Sequence, residues 1–355
     1  MGALMSLSFW RGKRVLLTGH TGFKGAWAAL WLESLGAKVT GLALAPATPL
    51  FILLLNGARI RHFNCDLRRP PQVAAALQNE NFDVVLHMAA QSLVRRSVRI
   101  PQETYDVNLM GTLNLLACLS KLQRPPAVTL VITSDKVYRN AERGQPFSEN
   151  DALGGDDPYS ASKACVELAV QSWRSSVLPA GSGRLATARA GNVIGGGDLS
   201  EDRLIPDLIR ALQHQRPMVL RYPEASRPWL YVLDALSGYL TYGEALATAG
   251  RTVPDSLNFG PAEATCVSTA ALIESMQCAL KCRLPILIEP SSGVAEKSSL
   301  VLNAELARAS LGWQPRLTLD EAVEWSAQWY LAWLAGLDVR RIALEQIAAY
   351  SERLA

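Results

Sequence analysis

Residues 14–25 read RVLLTGHTGFKG, a short apolar run followed by Gly19, Gly22 and Gly25 at G-x-x-G-x-x-G spacing. The run Arg14 to Thr18 predicts a strand. Gly25 to Leu35 carries helical apolar spacing, and Gly36 stops it. Glycines between a strand and a helix let the backbone turn tightly and pass close to a pyrophosphate, and the helix N-terminus then offers N–H groups to the anion. The order strand, glycine turn, helix is what a dinucleotide-binding unit requires. Thr18, Gly19, Thr21, Gly22, Phe23, Lys24 and Gly25 are therefore candidate cofactor contacts.

Outward from this turn the pattern repeats. Lys38 to Leu44, Ile60 to Cys65, Asp83 to Met88, Ala127 to Thr133 and Leu185 to Arg189 read as further strands. Pro101 to Ser120 and Tyr159 to Trp173 read as long helices. Strands alternating with helices imply right-handed crossovers and a parallel sheet, hence an α/β, doubly wound fold of the Rossmann type. After Gly191 the segments shorten and Pro206, Pro217, Pro223 and Pro228 appear. The expected division is a dinucleotide-binding domain over 10–190 with a returning segment at about 229–260. Residues 191–228 and 261–355 form a smaller α/β lobe. That lobe would close over the carboxyl ends of the strands, where open sheets bind ligands.

Composition excludes several classes. The 355 residues are 49% hydrophobic and 19% charged, with a net charge of +3. That charge is small and diffuse; the densest basic group is Arg95, Arg96 and Arg99. Such a group suits a small phosphorylated ligand, not a nucleic-acid surface. Cys65, Cys118, Cys165, Cys266, Cys278 and Cys282 are scattered without zinc spacing, and are expected to be buried, reduced thiols. His20, His62, His87 and His214 do not cluster, so no metal is expected. MGALMSLSFW lacks the pattern of a leader, and PLFILLL (Pro49 to Leu55) is too short to span a bilayer. The expectation is a cytoplasmic protein with no membrane partner. Trp325 and Trp329, at i,i+4, are expected to pack helices.

The fifth strand ends in Thr133-Ser134-Asp135-Lys136, and Tyr159-Ser160-Ala161-Ser162-Lys163 opens a helix. Tyr159 and Lys163 then share one helix face. A neighbouring ammonium, with a cationic nicotinamide, would favour the phenolate. Tyr159 could take a proton from a hydroxyl as hydride leaves the same carbon, with Ser134 hydrogen-bonding that oxygen. Adjacent strand residues face opposite ways, so Asp135 and Lys136 both reach a substrate only if the chain leaves strand geometry after Ser134. Otherwise they form a solvated ion pair. Strand two ends in Gly41-Leu42-Ala43-Leu44-Ala45-Pro46, with neither an acid for ribose hydroxyls nor an arginine for a 2′-phosphate. NAD is the expected cofactor, although strand two alone leaves NADP open. Asp66-Leu67, after strand three, could meet the adenine edge.

Together these motifs resemble the extended short-chain dehydrogenase/reductases across nearly the whole chain. Further support comes from His87-Met88-Ala89-Ala90, Asn108-Leu109-Met110-Gly111-Thr112 and Leu311-Gly312-Trp313. Within that family the chain looks most similar to the CDP-glucose 4,6-dehydratases. The segments behind this are HMAAQSLVRRS (His87 to Ser97), TSDK (Thr133 to Lys136), DPYSASK (Asp157 to Lys163), RAGNVIGGGD (Arg189 to Asp198) and DRLIPD (Asp202 to Asp207).

The resemblance implies an NAD-dependent lyase acting on CDP-glucose in deoxysugar biosynthesis. It implies catalytic roles for Ser134, Asp135 (acid), Lys136 (C5 base or its electrostatic partner), Tyr159 and Lys163. It adds Ala89, Ala90, Gln91, Asn108 and Thr133 on the cofactor side. On the substrate side it adds Gln91, Ser134, Asn192, Arg203, Leu204 and Arg227. Pairing of the long helices into a homodimer or homotetramer is usual in the family. One departure is Arg227-Pro228-Trp229-Leu230-Tyr231-Val232, where CDP-glucose dehydratases carry a polar Gln-His after the Trp. Other readings are a different nucleotide-sugar 4,6-dehydratase, a 4-epimerase or reductase, and a non-catalytic dinucleotide sensor. The intact Ser134/Tyr159/Lys163 set argues against the last.

Overall fold

The computed structural model describes residues 8–142, 144–179, 182–249, 252–261, 266–289 and 300–354. The strands are β1 (Arg14–Thr18), β2 (Lys38–Ala43), β3 (Arg61–Asn64), β4 (Val84–His87), β5 (Val128–Ile132), β6 (Arg184–Ala190), β7 (Val193–Ile194), β8 (Met218–Leu220), β9 (Ser226–Arg227), β10 (Leu230–Tyr231), β11 (Ser256–Phe259), β12 (Val267–Ser268) and β13 (Ile286–Ile288). The helices are α1 (Phe23–Ser34), α2 (Leu50–Leu55), α3 (Pro70–Leu77), α4 (Val94–Arg99), α5 (Pro101–Tyr105), α6 (Gly111–Leu119), α7 (Pro158–Ser176), α8 (Leu204–Gln213), α9 (Val232–Thr248), α10 (Thr269–Ala279), α11 (Glu305–Leu311), α12 (Leu319–Leu334) and α13 (Val339–Glu352).

Seven strands form one parallel sheet in the order β11-β6-β5-β4-β1-β2-β3. The order reverses between β1 and β4, which opens a crevice at their carboxyl ends. Thr18 pairs with Leu42 on one side and His87 on the other, so β1 ends level with both neighbours. Every residue of β4 and β5 is buried, as their near-continuous apolarity requires of strands covered on both faces.

The covering layer explains the composition of α1. Gly25 to Leu32 are buried on all sides, because α2, α9 and α13 surround the helix. Trp31 meets Tyr350 of α13 edge to face at 5.6 Å, and Arg340 Nε donates to the Leu54 carbonyl at 2.9 Å. The PLFILLL stretch thus becomes α2 beneath α13. No helix among the described residues is long and apolar enough to cross a membrane. Trp329 of α12 is fully buried, and a Cβ at Gly196 would lie 2.1 Å from its ring. This is why Gly196 is needed there.

Three expectations need correction. The helix expected over Pro101 to Ser120 is interrupted by a π-helical turn, Asp106–Met110, between α5 and α6. A π turn is a single wide turn inside otherwise regular helix, and the one-residue phase shift it brings is too short a signal for apolar periodicity to reveal. None of the six cysteines is in a disulfide, yet only Cys65 is buried; Cys278 is exposed and the others are half-buried. The histidine expectation also changes, as described below. Residues 1–7 of the leading stretch, and 262–265 and 290–299 of the expected second lobe, lie outside the described residues.

Candidate active site

A cavity of about 900 Å³ opens at the carboxyl ends of the sheet, walled by the glycine turn, the β5 end, α4, α7 and the segment leading into α8. The turn is built by steric necessity. Gly19 has φ +75°, and a Cβ there would lie 2.8 Å from the Ala89 backbone. A Cβ at Gly25 would lie 2.1 Å from the Gly19 carbonyl oxygen. Gly22 caps α1 without a side-chain hydrogen bond, and the first turn holds no acid. Its first N–H groups therefore remain available to an anion.

Thr18 and Asn108 stand behind the cavity wall, not on it. Their hydrogen bonds fix a tautomer. Thr112 Oγ1 donates to the Asn108 carbonyl at 2.6 Å, so it accepts from His87 Nε2–H at 2.8 Å. His87 Nδ1 is then bare and accepts from Thr18 Oγ1 at 2.7 Å. The Met88 and Ala89 N–H groups donate to the same Thr18 oxygen, each at 3.1 Å. Burial lowers the His87 pKa to about 3, so this imidazole stays neutral. Asn108 sits in the π turn and braces Gln91. Its Oδ1 accepts from the Gln91 N–H at 2.8 Å, and its Nδ2 donates to the Gln91 carbonyl at 3.0 Å and to Ser162 Oγ at 2.9 Å. Gln91, Ala89 and Ala90 line the cavity.

At the β5 end, Ser134 is still extended and Asp135–Val137 form a 3₁₀ turn. The chain therefore leaves strand geometry where both Asp135 and Lys136 need it to, and both line the cavity with Thr133 and Ser134. Ser134 Oγ donates to Asp135 Oδ1 at 2.9 Å and accepts from the Lys136 N–H at 3.2 Å. Asp135 is buried, and its Oδ2 has no partner. Burial pushes its carboxyl pKa up, against the pull of Lys136, Ser134 and Arg227. It is not the solvated member of an ion pair.

α7 starts on Asp157, whose carboxylate accepts from the Ser160 N–H at 3.0 Å, with Pro158 in the first turn. Tyr159 and Lys163 both line the cavity and are buried. Burial raises the Tyr159 pKa, with Asp135 adding and Ser134 and Arg203 opposing. Lys163 Nζ donates to the Ile132 carbonyl at 3.0 Å. Burial, reinforced by Lys24, lowers its pKa to about 7 against the pull of Glu167. Glu167 is committed elsewhere. It accepts from Thr133, from Thr187 at 2.8 Å and from Arg189 at 2.7 Å, pinning α7 to β5 and β6.

Asn192, Arg203, Leu204 and Arg227 line the opposite wall. Arg227 is buried, with Nη1 donating to the Ser226 carbonyl at 2.7 Å. Arg203 Nη2 donates to Ser92 Oγ at 3.1 Å. Sequence reasoning missed Asp202 at the cavity mouth. This residue has φ +55°, and its carboxylate gathers Arg95 at 3.1 Å, Arg221 at 3.6 Å and Arg99 at 3.7 Å. The local sequence carries no signal for it, because the partners lie on α4 and after β8.

At the far end, Ala43, Leu44, Ala45, Asp66 and Leu67 line the cavity. Arg68 holds Asp66 at 2.8 Å and depresses its carboxyl pKa. Here the histidine expectation fails: His20 Nε2 and His62 Nδ1 share a hydrogen bond of 2.7 Å. The His20 ring occupies the space above Gly41, where a Cβ would approach it to 2.5 Å. Burial lowers the His20 pKa to about 4. Two imidazoles do not make a metal centre, and no group of three or more ligands occurs among the described residues.

A glycine-cradled cavity beside a Ser/Tyr/Lys set defines a dinucleotide-dependent enzyme of the epimerase and dehydratase class. The chain belongs to the NAD dependent epimerase/dehydratase family, whose model matches residues 15–257. It is 40% identical over 356 residues to a CDP-glucose 4,6-dehydratase of Salmonella typhimurium, with 98% of each chain covered. It is 27% identical to a dTDP-glucose 4,6-dehydratase of Xanthomonas campestris, covering 94% of this chain and 98% of that one. The fold matches a UDP-glucose 4-epimerase of Stenotrophomonas maltophila solved with NAD and formylated UDP-arabinopyranose. There the TM-score is 0.79 at 22% identity, over 91% of this chain and 99% of that one. It also matches the UDP-glucose 4-epimerase of Thermus thermophilus in complex with NAD, with TM-score 0.76 at 25% identity over 89% and 98%.

Proposed function

We propose that the protein converts CDP-D-glucose to CDP-4-dehydro-6-deoxy-D-glucose, with NAD as cofactor. The observation that carries this reading is the 3₁₀ turn that brings Asp135 and Lys136 onto one cavity wall with Tyr159. An epimerase has no use for an extra acid and base at that place. The 40% identity to a CDP-glucose 4,6-dehydratase supports the same choice.

The glycine turn suits the dinucleotide, because side chains at Gly19 and Gly25 would fill its cradle. NAD held at this turn would supply a hydride acceptor for C4 and, once reduced, a hydride donor for C6. The chain's own residues move the protons. Tyr159, assisted by Ser134, takes the C4 hydroxyl proton. The C4 ketone acidifies the C5 proton, which Lys136 removes and gives back to C5 once hydride has reached C6. Asp135, whose carboxyl burial pushes up from its usual range, gives a proton to the departing C6 hydroxyl. Arg227 and Arg203 hold the diphosphate, Arg227 through its planar fork. Asn192 and Leu204 complete that side.

In this reading residues 10–190 and 229–260 hold the dinucleotide, and 191–228 with 261–355 hold the nucleotide sugar. Helices α5, α6 and α7 pair subunits into a homodimer or homotetramer, and the enzyme works in the cytoplasm. The deciding experiment incubates the purified protein and NAD with CDP-glucose, then with UDP-, dTDP- and GDP-glucose. The 4-keto-6-deoxy product is read by its absorbance in alkali. Formation of a C4 epimer alone rejects the proposal.

A further inference from the structure

Lys24 begins in the glycine turn, but its side chain belongs to the catalytic pocket. It is the second residue of α1 and lines the same cavity as Asp135, Tyr159 and Lys163. Among the described residues its ammonium has no hydrogen bond and no ion pair. It lies 5.7 Å from the ring centroid of Tyr239, whose own buried hydroxyl has no partner. Four charged groups that line the same cavity act on it: Asp135 from the 3₁₀ turn, Asp198 and Arg203 from the segment before α8, and Lys163 through their mutual repulsion.

Among the groups that act on Lys24, itself included, three cationic side chains therefore stand against two carboxylates. One of those carboxylates, Asp135, is driven toward its neutral form. Glu167 gives Lys163 no hydrogen bond, being taken by Thr133, Thr187 and Arg189. A ring that exchanges hydride with a substrate beside Tyr159, while its phosphates rest in the glycine turn, lies among these charges. The oxidised nicotinamide is a cation and the reduced one is neutral. Like charges in a low-dielectric pocket repel strongly.

We propose that Lys24 biases the bound dinucleotide toward its reduced form, by making the pocket resist the cationic ring and accept the neutral one. The inference rests on the proposed function, since it requires the dinucleotide in this cavity. Its consequence is directional. The chain itself helps draw hydride from C4 and retains the reduced cofactor until C6 receives it.

The test titrates wild type, Lys24→Met and Lys24→Arg with NAD+ and with NADH near pH 7, following protein fluorescence, without substrate. The measure is the ratio of the two dissociation constants. Wild type should prefer NADH, Lys24→Met should lose about tenfold or more of that preference, and Lys24→Arg should keep it. Burial lowers the Lys24 pKa to about 8. Above that pH the wild-type preference should shrink toward that of Lys24→Met. Lys163 titrates in the same pocket, and Tyr159 and Tyr239 also face it, so the comparison is between proteins at each pH. An unchanged ratio in Lys24→Met, or a lost preference in Lys24→Arg, overturns the inference. If Lys24→Met does not fold, a wild-type ratio that is flat with pH overturns it alone. Failure of wild type to bind either form would reject the proposed function as well. Binding with an unaltered ratio rejects the role of Lys24 only.

Discussion

Lys163 spends a hydrogen bond on the carbonyl of Ile132, the last residue of β5, at 3.0 Å. The amine on α7 is thereby tied to the strand that delivers Ser134, with Tyr159 one turn earlier on the same helix. Removing the phenolic oxygen should isolate its contribution. Tyr159→Phe is expected to slow C4 oxidation by about 10²–10⁴-fold, read as the appearance of reduced cofactor after mixing with CDP-glucose. Because burial raises the Tyr159 pKa, the wild-type oxidation rate should climb as pH rises above neutrality. A fall in rate over that range would contradict Tyr159 acting as the base.

Lys136 should separate the two halves of the reaction. Lys136→Met leaves Tyr159, Ser134 and Lys163 in place, so C4 oxidation continues while C5 deprotonation stops. The expected outcome is accumulated reduced cofactor with little 4-keto-6-deoxy product. A dehydration rate equal to wild type removes Lys136 from the mechanism.

The Arg189–Glu167 pair is buried on both sides, with a contact of 2.7 Å. Glu167→Gln would leave a buried guanidinium without its counter-charge. Breaking such a pair costs about 3–5 kcal/mol, seen as a reduced midpoint in urea unfolding. A loss within experimental error would mean that Tyr138 and the Glu149 carbonyl suffice to hold Arg189.

Gly41→Ala would place a methyl group against the His20 ring. Overpacking of this kind costs about 1–3 kcal/mol. The double variant Gly41→Ala, His20→Ala should recover part of the lost thermal stability. Equal stability of the single and double variants would show that the clash relaxes elsewhere.

Asp234 offers a pH signature of fold stability. Its Oδ1 accepts from Tyr350 Oη and from the Arg316 N–H, both at 2.6 Å, and burial raises its pKa to about 6. A carboxyl whose pKa is higher folded than unfolded binds its proton more tightly in the folded state. Its contribution is complete below about pH 4 and is lost as pH rises through about 6. Asp234→Asn should flatten the stability profile over that interval, measured as the unfolding midpoint against pH. A profile parallel to wild type would place the titrating group elsewhere.

The sequence made the glycine turn, the strand ends and the Tyr159/Lys163 pair readable because each is local: spacing within one turn or one helix face decides it. Pairings across large separations were hidden. His20 meets His62 over 42 positions, and Arg95 meets Asp202 over 107. Neither has a periodic signature. The balance of charges and burial at Tyr159 was hidden for a different reason. A neighbouring amine is visible in a motif, whereas the depth at which both groups are buried is a property of the assembled layers. Lys24 was legible as part of the turn, but the direction of its side chain was not.

The wide turn at Asp106–Met110 carries one residue more than an ordinary helical turn holds. Deleting any single residue there would restore regular pitch. It would also swing everything upstream by roughly 100° about the helix axis, carrying Thr104 away from the Gln91 amide it now receives at 3.1 Å. The surplus residue therefore works as a register pin, setting Thr104 on one side of it and Thr112 on the other to their separate partners.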